Sequence, residues 1–247
     1  MEFRLELDVY NPAEYYAALG LLELAARESD ELLAHFDSAG TTGLTSTFVV
    51  ANLACLPDLH AISIRALGHP DPLIAPVMLD DSLELNWWLN NYRTEKSDLK
   101  LWAGTSRPVD MLRRYQDLAE AIGENVLRRS IKTKTGKSSF GFDTRASRDA
   151  LAVGYSQKEA GDASILYPAT EFLCAIGLQN FRPVSDLLYY VWRRPVPVSV
   201  AHAAAVQEIP GLKQDRYAIS LAFVGQGLQA VDKVTQVYAN VGRFATV

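Results

Sequence analysis

The chain is poor in the residues that build most catalytic and metal centres. It has two cysteines in 247 residues, Cys55 and Cys174. Both lie in apolar contexts without a CxxC partner, so a zinc or redox site is not indicated and buried thiols are expected. The four histidines are His35, His60, His69 and His202. No two stand three to five residues apart, which removes the helical metal pair. His35, among apolar neighbours, reads as a structural residue. No apolar run reaches the roughly 18 residues that a transmembrane helix needs. Met1-Glu-Phe-Arg-Leu-Glu alternates charge and apolar character, as a strand does and a signal peptide does not. A cytoplasmic protein without a membrane partner is expected.

Familiar active-site signatures are missing as well. No Gly-x-Ser-x-Gly elbow occurs. Thr135-Gly-Lys-Ser has only the tail of a phosphate-binding loop, because Ile131 stands where the first glycine belongs and no hydrophobic strand precedes it. Gly225-Gln-Gly lacks the third glycine of a dinucleotide fingerprint. No cofactor, metal or catalytic residue is assigned.

What the chain does have is a repeated stretch. Glu14-Tyr-Tyr-Ala-Ala-Leu-Gly-Leu returns 157 positions later as Glu171-Phe-Leu-Cys-Ala-Ile-Gly-Leu. In the first copy Asn11 is suited to the N-cap, Pro12 to the first helical position and Glu14 to a capping box. Tyr15, Ala18, Leu19, Leu22 and Ala25 form one apolar stripe on a helix reaching about Ser29. A glycine inside a helix costs about 1 kcal/mol relative to alanine. Close approach of another backbone is the usual compensation at Gly20 and Gly177. The repeat reads either as two similar amphipathic helices or as a duplicated strand–helix unit.

With 49% hydrophobic residues the chain can bury a sizeable core. Phe3–Tyr10 reads as a strand, and Thr47–Val50 as another. Asn52–Leu67 reads as helical with a break at Pro57. Pro76–Asp81 and Leu83–Trp88 read as strands joined by a tight acidic turn at Asp80-Asp81. Trp87 and Trp88 then face opposite ways, one into the core and one free to stack a base. A helix is expected from Pro108 to about Arg129, paired strands at Phe140–Asp143 and Ala150–Tyr155, and a second-copy helix from Pro168 to Asn180. Leu187–Trp192 and Tyr217–Val224 read as strands, Val198–Gln207 as β-like, and Val234–Phe244 as a strand or short helix. The fold class is α+β, with two ferredoxin-like (β-α-β-β) halves if the repeat is a duplication. Residues 1–90 form an N-terminal half, 91–138 a basic helix and loop insertion, and 139–247 a C-terminal half.

Net charge is −5 but unevenly placed. Arg93–Lys137 holds eleven Lys/Arg against six Asp/Glu, a local excess of +5, which leaves −10 for the remainder. Arg128, Arg129, Lys132, Lys134 and Lys137 fall within ten residues without an acid among them. Ser130–Ser139 has no apolar period and reads as a loop or flexible hairpin tip, either simply solvated or able to follow a phosphate backbone. Together with Arg113 and Arg114, these five are the candidate nucleic-acid-binding residues.

Four segments carry a family resemblance: Asn11-Pro-Ala-Glu-Tyr-Tyr-Ala-Ala-Leu-Gly-Leu-Leu-Glu-Leu-Ala, Leu99-Lys-Leu-Trp-Ala-Gly, Phe140-Gly-Phe-Asp-Thr-Arg and Ala175-Ile-Gly-Leu-Gln-Asn-Phe-Arg-Pro. In them the chain resembles a CRISPR-associated family of type I-U (also called I-G) loci, a small effector-complex subunit related to the large-subunit class. The resemblance implies a part in an RNA-guided surveillance complex, with CRISPR RNA, target DNA and other effector subunits as partners. It implies a ferredoxin-like fold with a basic face and brings no catalytic motif. The chain's acidity implies that much of its surface faces protein neighbours. Two alternatives stand beside the non-enzymatic nucleic-acid binder. One is a guide-RNA-processing endonuclease, with His35 or His202 as base and Lys132 or Lys134 on the cleaved phosphate. The other is a purely protein-bridging subunit.

Overall fold

Phe3, Leu5 and Leu7 alternate with charged residues, and the computed structural model forms β1 there, Phe3–Asp8. The structure describes residues 1–29, 31–38, 45–90, 96–102, 106–133, 140–145, 164–183, 187–224 and 228–237. In chain order β1 is followed by α1 (Pro12–Ala25), β2 (Leu33–Ser38), β3 (Thr45–Ala51), β4 (Ile64–Ala66), β5 (Val77–Leu79), β6 (Leu83–Leu85), α2 (Pro108–Leu118), β7 (Ile131–Thr133), β8 (Ser164–Leu166), α3 (Pro168–Phe181), β9 (Leu188–Trp192), β10 (Val196–Pro197), α4 (Val198–Val206), β11 (Gln214–Val224) and β12 (Leu228–Val237).

The α+β class is as the sequence predicts. The first sheet has the order β1-β3-β2-β10 with antiparallel neighbours. β1 and β2 therefore run parallel on either side of β3, the split β-α-β order of a ferredoxin-like half. Among the described residues the second half does not repeat this order. β8 precedes α3 as β1 precedes α1, but it pairs with β7, and β9 joins a separate sheet, β12-β11-β9. Among the described residues only the strand–helix unit recurs. All three sequence segments share one hydrophobic core: β10 pairs with β2, and α1 lies against α3.

That last contact is the centre of the molecule. An added Cβ on Gly20 would lie 2.0 Å from the Leu173 carbonyl oxygen, and one on Gly177 would lie 1.9 Å from that of Tyr16. Leu173 is the counterpart of Tyr16 in the repeat. Each glycine thus faces the equivalent carbonyl of the other copy, a local two-fold relation. The single apolar stripe expected of α1 is an understatement: every residue of the helix except Glu23 is buried. Such a helix is enclosed by other elements on all sides.

Several expectations are corrected. The capping box at α1 does not close, because Asn11 N–H already donates to the Asp8 carbonyl; Glu14 instead accepts from Asp8 N–H at 2.8 Å. Asn52–Leu67 is a 3-10 turn at Leu59–Ala61 followed by β4, with Asp58 capping the turn. Its buried residues, Leu53, Leu59, Ile62 and Ile64, lack helical spacing. α2 stops at Leu118, where Ala119 becomes extended, and a 3-10 turn at Val126–Arg128 buries Val126 and Leu127. Val198–Val206 is helical, in line with the high helix propensity of its four alanines. Phe140–Asp143 is irregular, with Gly141 at φ +87° against the Leu101 side chain. Ala150–Tyr155 lies outside the described residues, as does Gly225-Gln-Gly. Ile131–Thr133, read as loop, is β7, its β-branched residues paired with β8.

Asp80 and Asp81 do form the tight turn, both at positive φ, with Ser82 N–H donating to the Leu79 carbonyl. Trp87 and Trp88, however, are both fully buried; their indoles donate to Ala175 O and Ile74 O, each at 2.9 Å. Neither is free to stack a base. Cys174 is buried, whereas Cys55 is exposed. Among the described residues no helix is long and apolar enough to cross a membrane.

Candidate nucleic-acid interface

The basic surface is held in place from beneath. Both helix copies begin beside the Phe140–Arg145 segment. Asn11 donates to Asp143 at 3.1 Å and accepts from Thr144 N–H at 3.2 Å. Arg145 lies between Asp143 at 2.6 Å and Glu14 at 2.7 Å, with Tyr167 under its guanidinium. Its Nη1 also donates to Leu127 O at 2.9 Å, and the Thr170 hydroxyl donates to the same oxygen at 2.9 Å. The 3-10 turn that bears Leu127 is therefore tied to the starts of both α1 and α3. Arg128 and Arg129 follow directly, then β7.

The second-copy acid has a different environment. Glu171 accepts from Phe140 N–H at 2.9 Å, and its other oxygen has no hydrogen-bond partner among the described residues. Burial, reinforced by the nearby Asp143 carboxylate, pushes its carboxyl up to about 8. At neutral pH it is mainly the uncharged acid. Burial raises Glu14 as well, against the opposing pull of Arg145. Burial also drives the Cys174 thiol upward, so this thiol is unreactive.

The predicted basic residues are only partly brought together. Arg114 and Lys132 line one open groove of about 350 Å³ between α2 and β7, together with Asp117, Leu118, Ile131 and Thr133. Lys132 is exposed and makes no ion pair among the described residues. Arg128 pairs with Glu6 at 3.8 Å and Arg129 with Glu120 at 3.6 Å, all four side chains exposed. Arg113 turns away to β4, where it donates to Ile64 O at 2.8 Å. Lys134 and Lys137 lie outside the described residues, as does Thr135-Gly-Lys-Ser.

The two histidines considered as bases each meet a carboxylate. His35, on β2, contacts Asp37 at 3.1 Å. His202, on α4, contacts Glu23 at 3.0 Å and lies against the Phe181 ring. Among the described residues no group of three or more His, Cys, Asp or Glu is arranged to hold a metal ion.

Sequence reasoning did not find the Glu14–Asp143–Arg145 cluster. Two signals for it were present: a glutamate at the same helical phase in both copies, and an Asp-Thr-Arg directly after two core phenylalanines. Three of the four segments quoted for the resemblance meet in space here: Asn11 bonds the Phe140–Arg145 segment, Trp102 lies edge-on to Phe140, and Leu101 touches Gly141. No protein-family model, curated protein or solved structure matches the chain.

Proposed function

We propose that this chain is a non-enzymatic, cytoplasmic subunit of a type I CRISPR RNA-guided surveillance complex. It serves antiviral defence by holding the phosphate backbone of guide RNA or target DNA along the α2–β7 face. The observation that carries this reading is how the cations are held there. Lys132 is exposed and unpaired among the described residues, and Arg128 and Arg129 sit in long, exposed ion pairs. Pairs of this kind contribute about 0–1 kcal/mol, so a phosphate can displace either carboxylate. The local excess of +5 against −10 elsewhere favours one basic face on a chain whose other surfaces meet protein neighbours. The four resembling segments support the CRISPR assignment.

The test is binding of the full chain, alone and within its assembled complex, to single-stranded RNA and to duplex DNA as salt is raised. Affinity should fall steeply and linearly on a log–log plot. Absence of binding, or binding indifferent to salt, would leave the chain a protein bridge. Repeat RNA should stay intact; cleavage abolished by His35→Ala or His202→Ala would make it an endonuclease instead.

A further inference from the structure

The α2–β7 groove has more than charge. Among the described residues four large apolar side chains are exposed: Met1, Leu118, Ile165 and Val200. One of the four, Leu118, lines the groove at 39% exposure. Ile131 adds a second apolar wall. The volume, about 350 Å³, is at the small end of ligand pockets, about 300–1,000 Å³. Asp117 stands in the lining with no hydrogen bond or ion pair among the described residues, between elements that bring Arg114 and Lys132. A groove meant only for phosphate has no use for an unpaired carboxylate or an apolar floor.

We propose that this groove takes one unpaired nucleobase of a single strand. Leu118 and Ile131 lie against the base, Arg114 and Lys132 meet the flanking phosphates, and Asp117 accepts from an exocyclic amino group. The inference rests on the nucleic-acid reading above and narrows it. A base buried in a duplex cannot enter, so single strands are preferred. Cytosine and adenine have an exocyclic amino donor, while the exocyclic groups of uracil are carbonyl oxygens that a carboxylate repels. Apolar side chains serve as walls for extruded bases elsewhere.

The test is anisotropy of the full chain with short single-stranded oligo-C, oligo-A and oligo-U, and with a duplex of equal length, at one salt concentration. The parent should bind oligo-C and oligo-A roughly tenfold more tightly than oligo-U, and single strands more tightly than duplex. Asp117→Asn, an exposed and nearly isosteric change, should reduce the base preference to about twofold or less while leaving the salt slope unchanged. Leu118→Ser should weaken single strands and spare the duplex. Salt-dependent binding that is equal for all four ligands and indifferent to Asp117→Asn would overturn the base site and leave the backbone reading standing. Absence of binding to any of the four would overturn both.

Discussion

Arginine meets glutamate in two places, with opposite consequences. At the starts of α1 and α3, Arg145 lies 2.7 Å from a buried Glu14 and 2.6 Å from a buried Asp143. At the rim, Arg129 lies 3.6 Å from Glu120 and Arg128 3.8 Å from Glu6, all exposed. The chemistry is the same and burial differs. Removing one partner inside strands a charge in a poorly solvated site, at a cost of about 3–5 kcal/mol. Removing one outside lets water and salt replace it, at about 0–1 kcal/mol. The inner pairs therefore fix shape, and the outer cations remain available to an incoming polyanion.

The centre should break most severely at the helix crossing. Because an added Cβ would lie 2.0 Å or less from a backbone oxygen, far inside van der Waals contact, alanine is no mild substitute for either glycine. Gly20→Ala and Gly177→Ala should each cost at least about 3 kcal/mol in urea unfolding, and Gly20→Leu should prevent folding. Separating the helices once relieves both overlaps, so the double alanine variant should cost clearly less than the sum. Additive costs, or single costs below about 1 kcal/mol, would mean that the crossing is looser than its geometry.

The two kinds of ion pair can be compared directly. Arg145→Ala should destabilise by about 3 kcal/mol, because it leaves Glu14 and Asp143 side by side without a cation. Arg129→Ala should change stability by less than about 0.5 kcal/mol. Urea midpoints of the two variants decide it, and equal losses would remove the distinction between centre and rim.

A smaller effect separates the two helix copies. Glu171 holds its proton to about pH 8 when folded, against a reference value of 4.5. Between these values the folded state binds more protons than the unfolded one, so its contribution to stability falls as pH rises through the window and is flat above it. From pH 6 to pH 9 the loss should be about 2.7 kcal/mol. Lys100, pushed down to about 8 by burial and by Lys96, acts in the opposite direction. The difference between the parent and Glu171→Gln isolates the acid: the variant should lack the Glu171 part of the decline. Parallel profiles would mean that Glu171 is not carrying a proton at neutral pH.

Periodicity and repetition made the frame legible in advance. β1, α1, α3, β9 and β11 follow from alternation, capping residues and the eight-residue match, and Gly20 announced a close approach. The partner in that approach was not legible, since nothing local says that Gly20 meets Leu173. The same limit hid Arg145, whose role depends on three elements far apart in sequence. Trp87 and Trp88 were misjudged because strand alternation was extended into a turn. Their indoles satisfy carbonyls on α3 and before β5, and that satisfaction makes double burial tolerable. The basic run was legible as charge, but its division was not: Arg113 supports β4, while Arg114 and Lys132 share a groove with Asp117.

The smallest change tests the rim. Each cation that meets a phosphate releases counterions, contributing roughly −0.7 on a single strand or −0.9 on B-DNA to the log–log salt slope. Lys132 has no carboxylate to give up, so its whole contribution should be visible: Lys132→Ala should flatten the slope by about 0.7–0.9. Arg128 and Arg129 must first leave Glu6 and Glu120. Replacing those two acids with glutamine should tighten binding slightly, because the competing carboxylate is gone. The triple change Arg128→Ala, Arg129→Ala and Lys132→Ala should flatten the slope by about two units or slightly more. Urea stability should stay near the parent's, since all three side chains are exposed. A salt titration beside the parent gives both numbers. An unchanged slope in the triple variant would show that these cations meet water and not phosphate, and the rim would then differ from the centre only in being dispensable.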